Sequence, residues 1–448
     1  MNDDTAAYEA AVTRVMRHLT RDLLLEVGTG VVDIASPTGH EAPLANWIAA
    51  HLTDHGVDAD LQPLDERQAN AVGTVPGGDG PSVLLYAPLD TFTTGEAALD
   101  VPAAGPELRP DMRARATVHG DLIEGLGAGN PKGHAAVIIA VAEALAASGV
   151  ELPGEVVVGF GAGGMPSFAV PGAGVEGREN TGHGVGAGFL LERGHTTDYA
   201  VIAKPGWTVS HEEVGLVWLD VHVPGIHTYV GSRHRLPYHN AVTDAGAVAA
   251  HLERWLESYA AEHEFGTMRP QGVVSSIRGG LTRLAASTPA EVTLRLDLRI
   301  TTRQNPAAVV REVRRELDRL RDTTGIATRV QQVAAIPATH TPPSSPIVQA
   351  TVAALEEVSG QPHQPIRANS GATDANILRM RGVPTARVGM PKVLTAPDGG
   401  EVDFTRGMNL VDLQQMRRLA EILCRTVLAL PRMTRRENRA GGTEARPA

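Results

Sequence analysis

Gly125-Leu126-Gly127-Ala128-Gly129-Asn130-Pro131-Lys132-Gly133-His134 opens an apolar stretch that runs to about Ser148. It lies between two short apolar runs, Pro81-Ser82-Val83-Leu84-Leu85-Tyr86-Ala87 and Gly154-Glu155-Val156-Val157-Val158. The short runs have the continuous apolar character of buried strands. Asn130 can cap a helix and Pro131 suits a first helical position, so a helix is predicted from there. Strand, helix and strand in succession predict a largely parallel sheet in an α/β domain. Outward from this centre, residues 5–27 read as one amphipathic helix. Ser36-Pro37-Thr38-Gly39-His40-Glu41 reads as a turn, and residues 41–56 as a second helix.

The texture changes downstream. Between Gly161 and Gly188 there are ten glycines, with Pro166 and Pro171, an irregular composition suited to lining a site. Residues 214–327 then read strand, helix, strand, strand, helix (216–223, 244–261, 272–277, 291–300, 306–323), an α+β module inserted into the first domain. The α/β pattern resumes with a helix at 347–359, a strand at 385–388 and a closing helix at 413–430. The expected organisation is a catalytic domain of residues 1–213 and 328–431, the inserted domain 214–327, and a polar, arginine-rich tail 432–448 predicted to be disordered.

Composition narrows the function. The 448 residues are 42% apolar and 20% charged, as in ordinary globular proteins, and suffice for two to three domains. A net charge of -11 argues against nucleic-acid binding, and no apolar run reaches a membrane span. The single Cys424 excludes an internal disulfide and a cysteine zinc site, and its apolar neighbours place it in the core. The opening Met-Asn-Asp-Asp lacks a signal peptide's basic start. A cytoplasmic enzyme acting on a small molecule is the expectation. Gly159-Phe160-Gly161-Ala162-Gly163-Gly164 matches G-x-G-x-x-G, but Met165-Pro166-Ser167 follows it where a dinucleotide site needs a helix N-terminus.

Only three lysines occur, Lys132, Lys204 and Lys392, in a chain whose other cations are arginines. An ammonium with a tunable pKa differs chemically from an always-charged guanidinium, which singles these positions out.

Several landmarks, in order, resemble the zinc deacylases and exopeptidases of the acetylornithine deacetylase, succinyl-diaminopimelate desuccinylase and carboxypeptidase G family. They are the Ser36-to-Glu41 turn, Leu84-Leu85-Tyr86-Ala87-Pro88-Leu89-Asp90, Gly125-to-Gly133, and Asp198-Tyr199-Ala200-Val201-Ile202-Ala203-Lys204-Pro205. Asn240-Ala241-Val242, Asp297-Leu298-Arg299 and Ser370-Gly371-Ala372-Thr373-Asp374-Ala375 complete the series. The resemblance implies a mixed, largely parallel sheet in a peptidase-like catalytic domain. It also implies an inserted α+β, ferredoxin-like lid, through which the chain would form a homodimer.

The resemblance further implies two zinc ions, a shared aspartate and a glutamate general base. The ligand positions have changed here. The histidine of the family's His-x-Asp falls on Pro88, although Asp90 remains. The bridging aspartate falls on Asn130, and the paired glutamates on Gly164 and Met165. A further acidic ligand falls on Lys204, and the last histidine near Val402, where Asp403 is the one substitute. Proline and glycine side chains cannot ligate, and an ammonium repels a dication. No metal cofactor is therefore expected. The lid histidine that reaches a partner subunit in the family falls on Tyr229, with His227 two residues earlier. The lid asparagine falls on Ala286.

Asp90 without a metal calls for a compensating cation, and Lys204 is placed to be one. Either Lys204 only fills the cavity with a salt bridge, or it supplies a proton, a cation or an amine nucleophile in a metal-free site. Lys132, His227 and Tyr229 complete the catalytic candidates. Asn130, His134, Glu212, Glu213, Arg299, Asp374 and Lys392 are candidates for substrate binding. Structural alternatives stand beside them: packing for Tyr229, a lid brace for Arg299, a helix cap for Asp374. The function expected is metal-independent chemistry at an amide or N-acyl bond of a small amino-acid-like substrate. A metal-dependent amidohydrolase with unusual ligands and a non-catalytic binding or partner protein are the alternatives.

Overall fold

The structure, a computed structural model, describes residues 3–172 and 175–440. The two short apolar runs form the strands Val83–Pro88 and Val156–Gly161, buried along their whole length and paired in parallel. Continuous burial is what a strand covered on both faces requires. The strand Tyr199–Ala203 adds in parallel to Val83–Pro88, and Thr385–Val388 adds in parallel to it in turn. An antiparallel hairpin, Asp58–Pro63 and Ala69–Val75, completes the other edge and gives a mixed sheet of six strands. This α/β unit comprises Met1–His211, Thr341–Pro365 and the chain from Thr373.

Helices cover both faces. On one, the helix Gly133–Ala147 is apolar all round and buried from Gly133 to Leu145, as expected of a helix packed on every side. Ala42–Asp54, Pro346–Ser359 and the closing helix share its core through Leu44, Ile48, Ile347, Leu419 and Leu423. The other face carries a smaller core of Leu84, Tyr86, Leu190, Ile202 and Leu378.

Three local expectations are corrected. Residues 5–27 form two helices, Asp3–Met16 and Arg21–Val32, because Thr20 is extended and its hydroxyl accepts the Leu23 N–H at 3.1 Å, a fresh N-cap. Asn130 caps nothing. It is extended (φ -163°, ψ 122°), and the helix begins after a wide turn over Ala128–Lys132. The closing helix runs Leu413–Ala440 through the start of the predicted disordered tail, whose residues 441–448 lie outside the described residues.

The second unit comprises Glu212–His340 and Ile366–Ala372. Its sheet has the order Gly272–Gly279, Glu291–Ile300, Gly215–Pro224, Arg329–Ile336, all antiparallel. The helices Ala241–Glu262 and Pro306–Thr324 share a core with it, including Leu219, Leu252, Leu296 and Leu317. The unit passes the predicted boundary at 327 because Arg329–Ile336 supplies the fourth strand. That strand is half exposed and has no apolar alternation to betray it. No helix among the described residues is long and apolar enough to cross a membrane.

Candidate active site

In open parallel sheets, ligands bind beyond the carboxyl ends of the strands. Here those ends deliver Asp90 after Val83–Pro88, Ala162–Met165 after Val156–Gly161, and Lys204 after Tyr199–Ala203. Asp90 is fully buried. Its carboxylate accepts the Thr38 hydroxyl at 2.7 Å, the Gly164 N–H at 2.8 Å and the Met165 N–H at 3.1 Å. Burial pushes its pKa up, opposed first by the Thr38 bond and then by the Lys204 charge.

The direct ion pair expected between Asp90 and Lys204 is not formed. Met165 stands between them, with its amide on Asp90 and its sulfur 3.9 Å from the Lys204 Nζ. Lys204 is only 6% exposed, and its backbone N–H is held by the Val388 carbonyl at 3.1 Å. It therefore compensates Asp90 through space rather than by contact.

Glu41, read from sequence as part of a turn, is a second buried carboxyl of the site. It accepts the N–H groups of Gly39 (3.1 Å) and Gly163 (2.9 Å) and the side-chain amide of Gln68. Burial first, and the Asp90 charge second, push it up to about 8. A third carboxyl, Asp374, accepts the Tyr86 hydroxyl at 2.8 Å, and burial holds Tyr86 well above the usual phenol value. Asp374 makes no side-chain cap to the Ala375–Met380 helix. His134 is buried, and its Nε2 accepts the Met390 N–H at 3.3 Å. Burial and the cations Lys204 and Arg387 pull it down to about 3, so it is a neutral imidazole. Sequence reasoning missed Glu41 and Arg387. The signal for Arg387 was a lone cation inside the buried strand Thr385–Val388.

The other two lysines have partners of their own. The Lys132 Nζ donates to the Ile34 carbonyl at 2.6 Å, and burial lowers it to about 7. It supports the chain after Arg21–Val32, the charge acting on it is that of Asp33, and its stem passes the Gly127–Thr91 contact next to Asp90. Lys392 is exposed, its Nζ 5.8 Å from the Phe404 ring centroid. Asn130 lines a cavity of about 290 Å³ with Phe92, Leu126, Phe404, Met408 and Asn409. Its Nδ2 lies 3.6 Å from Met408 Sδ, and its buried Oδ1 has no hydrogen-bond partner.

Five candidates belong to the second unit. His227 Nδ1 bonds the Thr288 carbonyl at 2.8 Å, and Tyr229 is 59% exposed. Glu212 accepts the Thr267 N–H at 2.6 Å, Glu213 is buried, and Arg299 is held bidentate by Asp297 at 3.0 and 3.1 Å. That pair lies within the one strand Glu291–Ile300.

The donor set does not fit a dinuclear metal centre. Asp90 already accepts from three protein donors, and the Lys204 charge from the neighbouring strand end acts on it. A Cβ at Gly164 would come within 2.2 Å of the Pro88 Cβ and 2.5 Å of Asp374 Oδ2, so no ligating side chain can stand there. Asp403 is committed as the N-cap of Phe404–Met408 and to Arg109.

Known proteins share this architecture. The yeast di-peptidase Dug1p from Saccharomyces cerevisiae superposes with a TM-score of 0.69 at 12% identity, over 94% of this chain and 98% of that one. Human carnosine dipeptidase 1 gives 0.67 at 15%, over 95% and 99%. The YxeP protein of Bacillus subtilis, described as a dinuclear metal-binding peptidase, gives 0.58 at 13%, over 95% and 99%. Residues 100–429 match the family model of peptidases M20/M25/M40, the family of amide-bond hydrolases to which this chain belongs.

Proposed function

We propose that the chain is an enzyme that breaks or makes an amide or N-acyl bond of a small amino-acid-like substrate without the family's metal pair. Lys204 carries this reading. A buried ammonium at the carboxyl end of a central strand, one side chain from a buried carboxylate, is placed to polarise or protonate a reacting group, or to act as an amine nucleophile. Neutral His134 and the protonated Glu41 supply further proton-exchanging groups in the same unit. The cavity beside Asn130, walled by Phe92, Leu126 and Phe404, suits an apolar acyl or side-chain group. The second unit is proposed to join two copies, since its edge strand Gly272–Gly279 exposes Val273 and Ile277.

The test is Lys204→Arg, which keeps the charge but can neither deprotonate near neutral pH nor form an imine. Turnover of an N-acyl amino acid found by substrate screening should fall by at least about a hundred-fold with the fold retained. Full turnover in that variant, or two zinc ions per chain that depend on Asp90, would overturn the reading.

A further inference from the structure

The Ala42–Asp54 helix carries a constellation that plays no part in the Asp90–Lys204 cluster. His51 lies in its last turn and His55 is its C-cap residue, their rings are in contact, and Glu143 reaches them from the Gly133–Ala147 helix. One ligand atom from each of the three lies within 4.8 Å of the others. We propose that His51, His55 and Glu143 form a mononuclear site for a divalent transition ion, zinc by its ligand set, with solvent completing the coordination.

Four observations support it. Glu143 is buried, His51 is half-buried and His55 is exposed, so the set is anchored at one end and open to solvent at the other. The His55 Nδ1–H donates to the His51 carbonyl at 2.7 Å. That bond leaves Nε2 as the free lone pair, which is how metal-binding imidazoles are usually oriented. The rings are held in place: Trp47 stacks on His51 with centroids 4.7 Å apart, and the His55 ring lies 4.3 Å from His51 at a tilt of 33°. Finally, the carboxylates of Glu143, Glu26 and Asp54 all act on His55, an acidic setting that favours a cation.

Little rearrangement is needed. His51 Nε2 and Glu143 Oε1 are 2.8 Å apart. Two ligands on a tetrahedral zinc, with bonds of about 2.0–2.1 Å, stand about 3.3 Å apart. The ion would take the place of the proton between these two atoms: His51 keeps one N–H, on Nδ1, and any second proton on the ring leaves to solvent. Two neutral imidazoles, one carboxylate and water form a ligand set zinc commonly accepts. The other cluster of this kind among the described residues, Glu262, His263 and Glu312, has one imidazole and an exposed acid, and is the weaker candidate.

Equilibrium dialysis of the full chain against zinc alone tests the site, with cobalt absorption as a second readout of four-coordinate geometry. The native chain should hold about one ion, and His55→Gln and Glu143→Gln should each weaken binding by at least about ten-fold. His263→Gln should not. His55 is exposed, so the loss of its bond to the His51 carbonyl in His55→Gln should cost little stability in the metal-free protein, and the melting temperature measured without metal separates that cost from loss of the ligand. Absence of binding, or binding that survives both substitutions, would overturn the proposal. Ions that remain in His55→Gln but leave when Asp90 is replaced would instead refute the metal-free reading of the catalytic cluster, so the two failures are distinguishable.

Discussion

Glu41 and Asp90 are two buried carboxyls that act on each other and are served by different donors, backbone and Gln68 amides for one and a hydroxyl with two amides for the other. Glu41 is raised from its ordinary 4.5 to about 8. The folded chain therefore binds more protons than the unfolded chain between those values, and stability falls as pH rises through that window. Glu41→Gln keeps an acceptor for the Gly39 and Gly163 amides and removes the buried charge. Urea unfolding should show the variant losing less stability than the native chain between about pH 5 and pH 8, by a few kcal/mol. An unchanged pH profile would mean that Glu41 titrates as an ordinary carboxyl. Asp90 and Lys204 were legible because each sits at a motif position. The partner of Lys132 was not legible, because a long stem can carry its ammonium to either side of a helix start, and packing chose the Ile34 carbonyl.

The loop after Val156–Gly161 shows how an element closes off a chemistry. Gly164 lies against Pro88 and Asp374, so Gly164→Ala should cost about 1–3 kcal/mol through overpacking, read as a lower denaturant midpoint. Restoring glutamates at positions 164 and 165 should for the same reason fail to recover metal binding at Asp90 in dialysis. At the N-terminal helices, Thr20→Ala should lower stability by about 1 kcal/mol in the same denaturation measurement, since it removes the cap that starts Arg21–Val32. Elements with strong apolar runs were readable to within a few residues. Arg329–Ile336 was not, because it presents no alternating pattern apart from its sheet partners.

At the scale of the molecule, the first unit is assembled from both ends of the chain. The strand Thr385–Val388 closes one edge of its sheet, and the Leu413–Ala440 helix packs into its core. A chain truncated after residue 340 should therefore fail to form that sheet. Limited proteolysis should degrade residues 1–211 of the truncated chain while a core of residues 212–340 persists longer, because the second unit has its own buried cluster.

Sequence alone determined the fold class, the inserted second unit and the family, and it singled out the altered side chains at the family's ligand positions. These depend on local apolar runs, motif order and the chemistry of single side chains, none of which needs a third dimension. Only the tertiary structure decided which polar groups meet. It put Met165 on both Asp90 and Lys204, gave the Ile34 carbonyl to Lys132 and Asp374 to Tyr86, and brought Glu41 to Asp90 and Glu143 to His51. The physical reason is that a buried polar atom must find a partner, and the partner available is set by packing between segments distant in sequence.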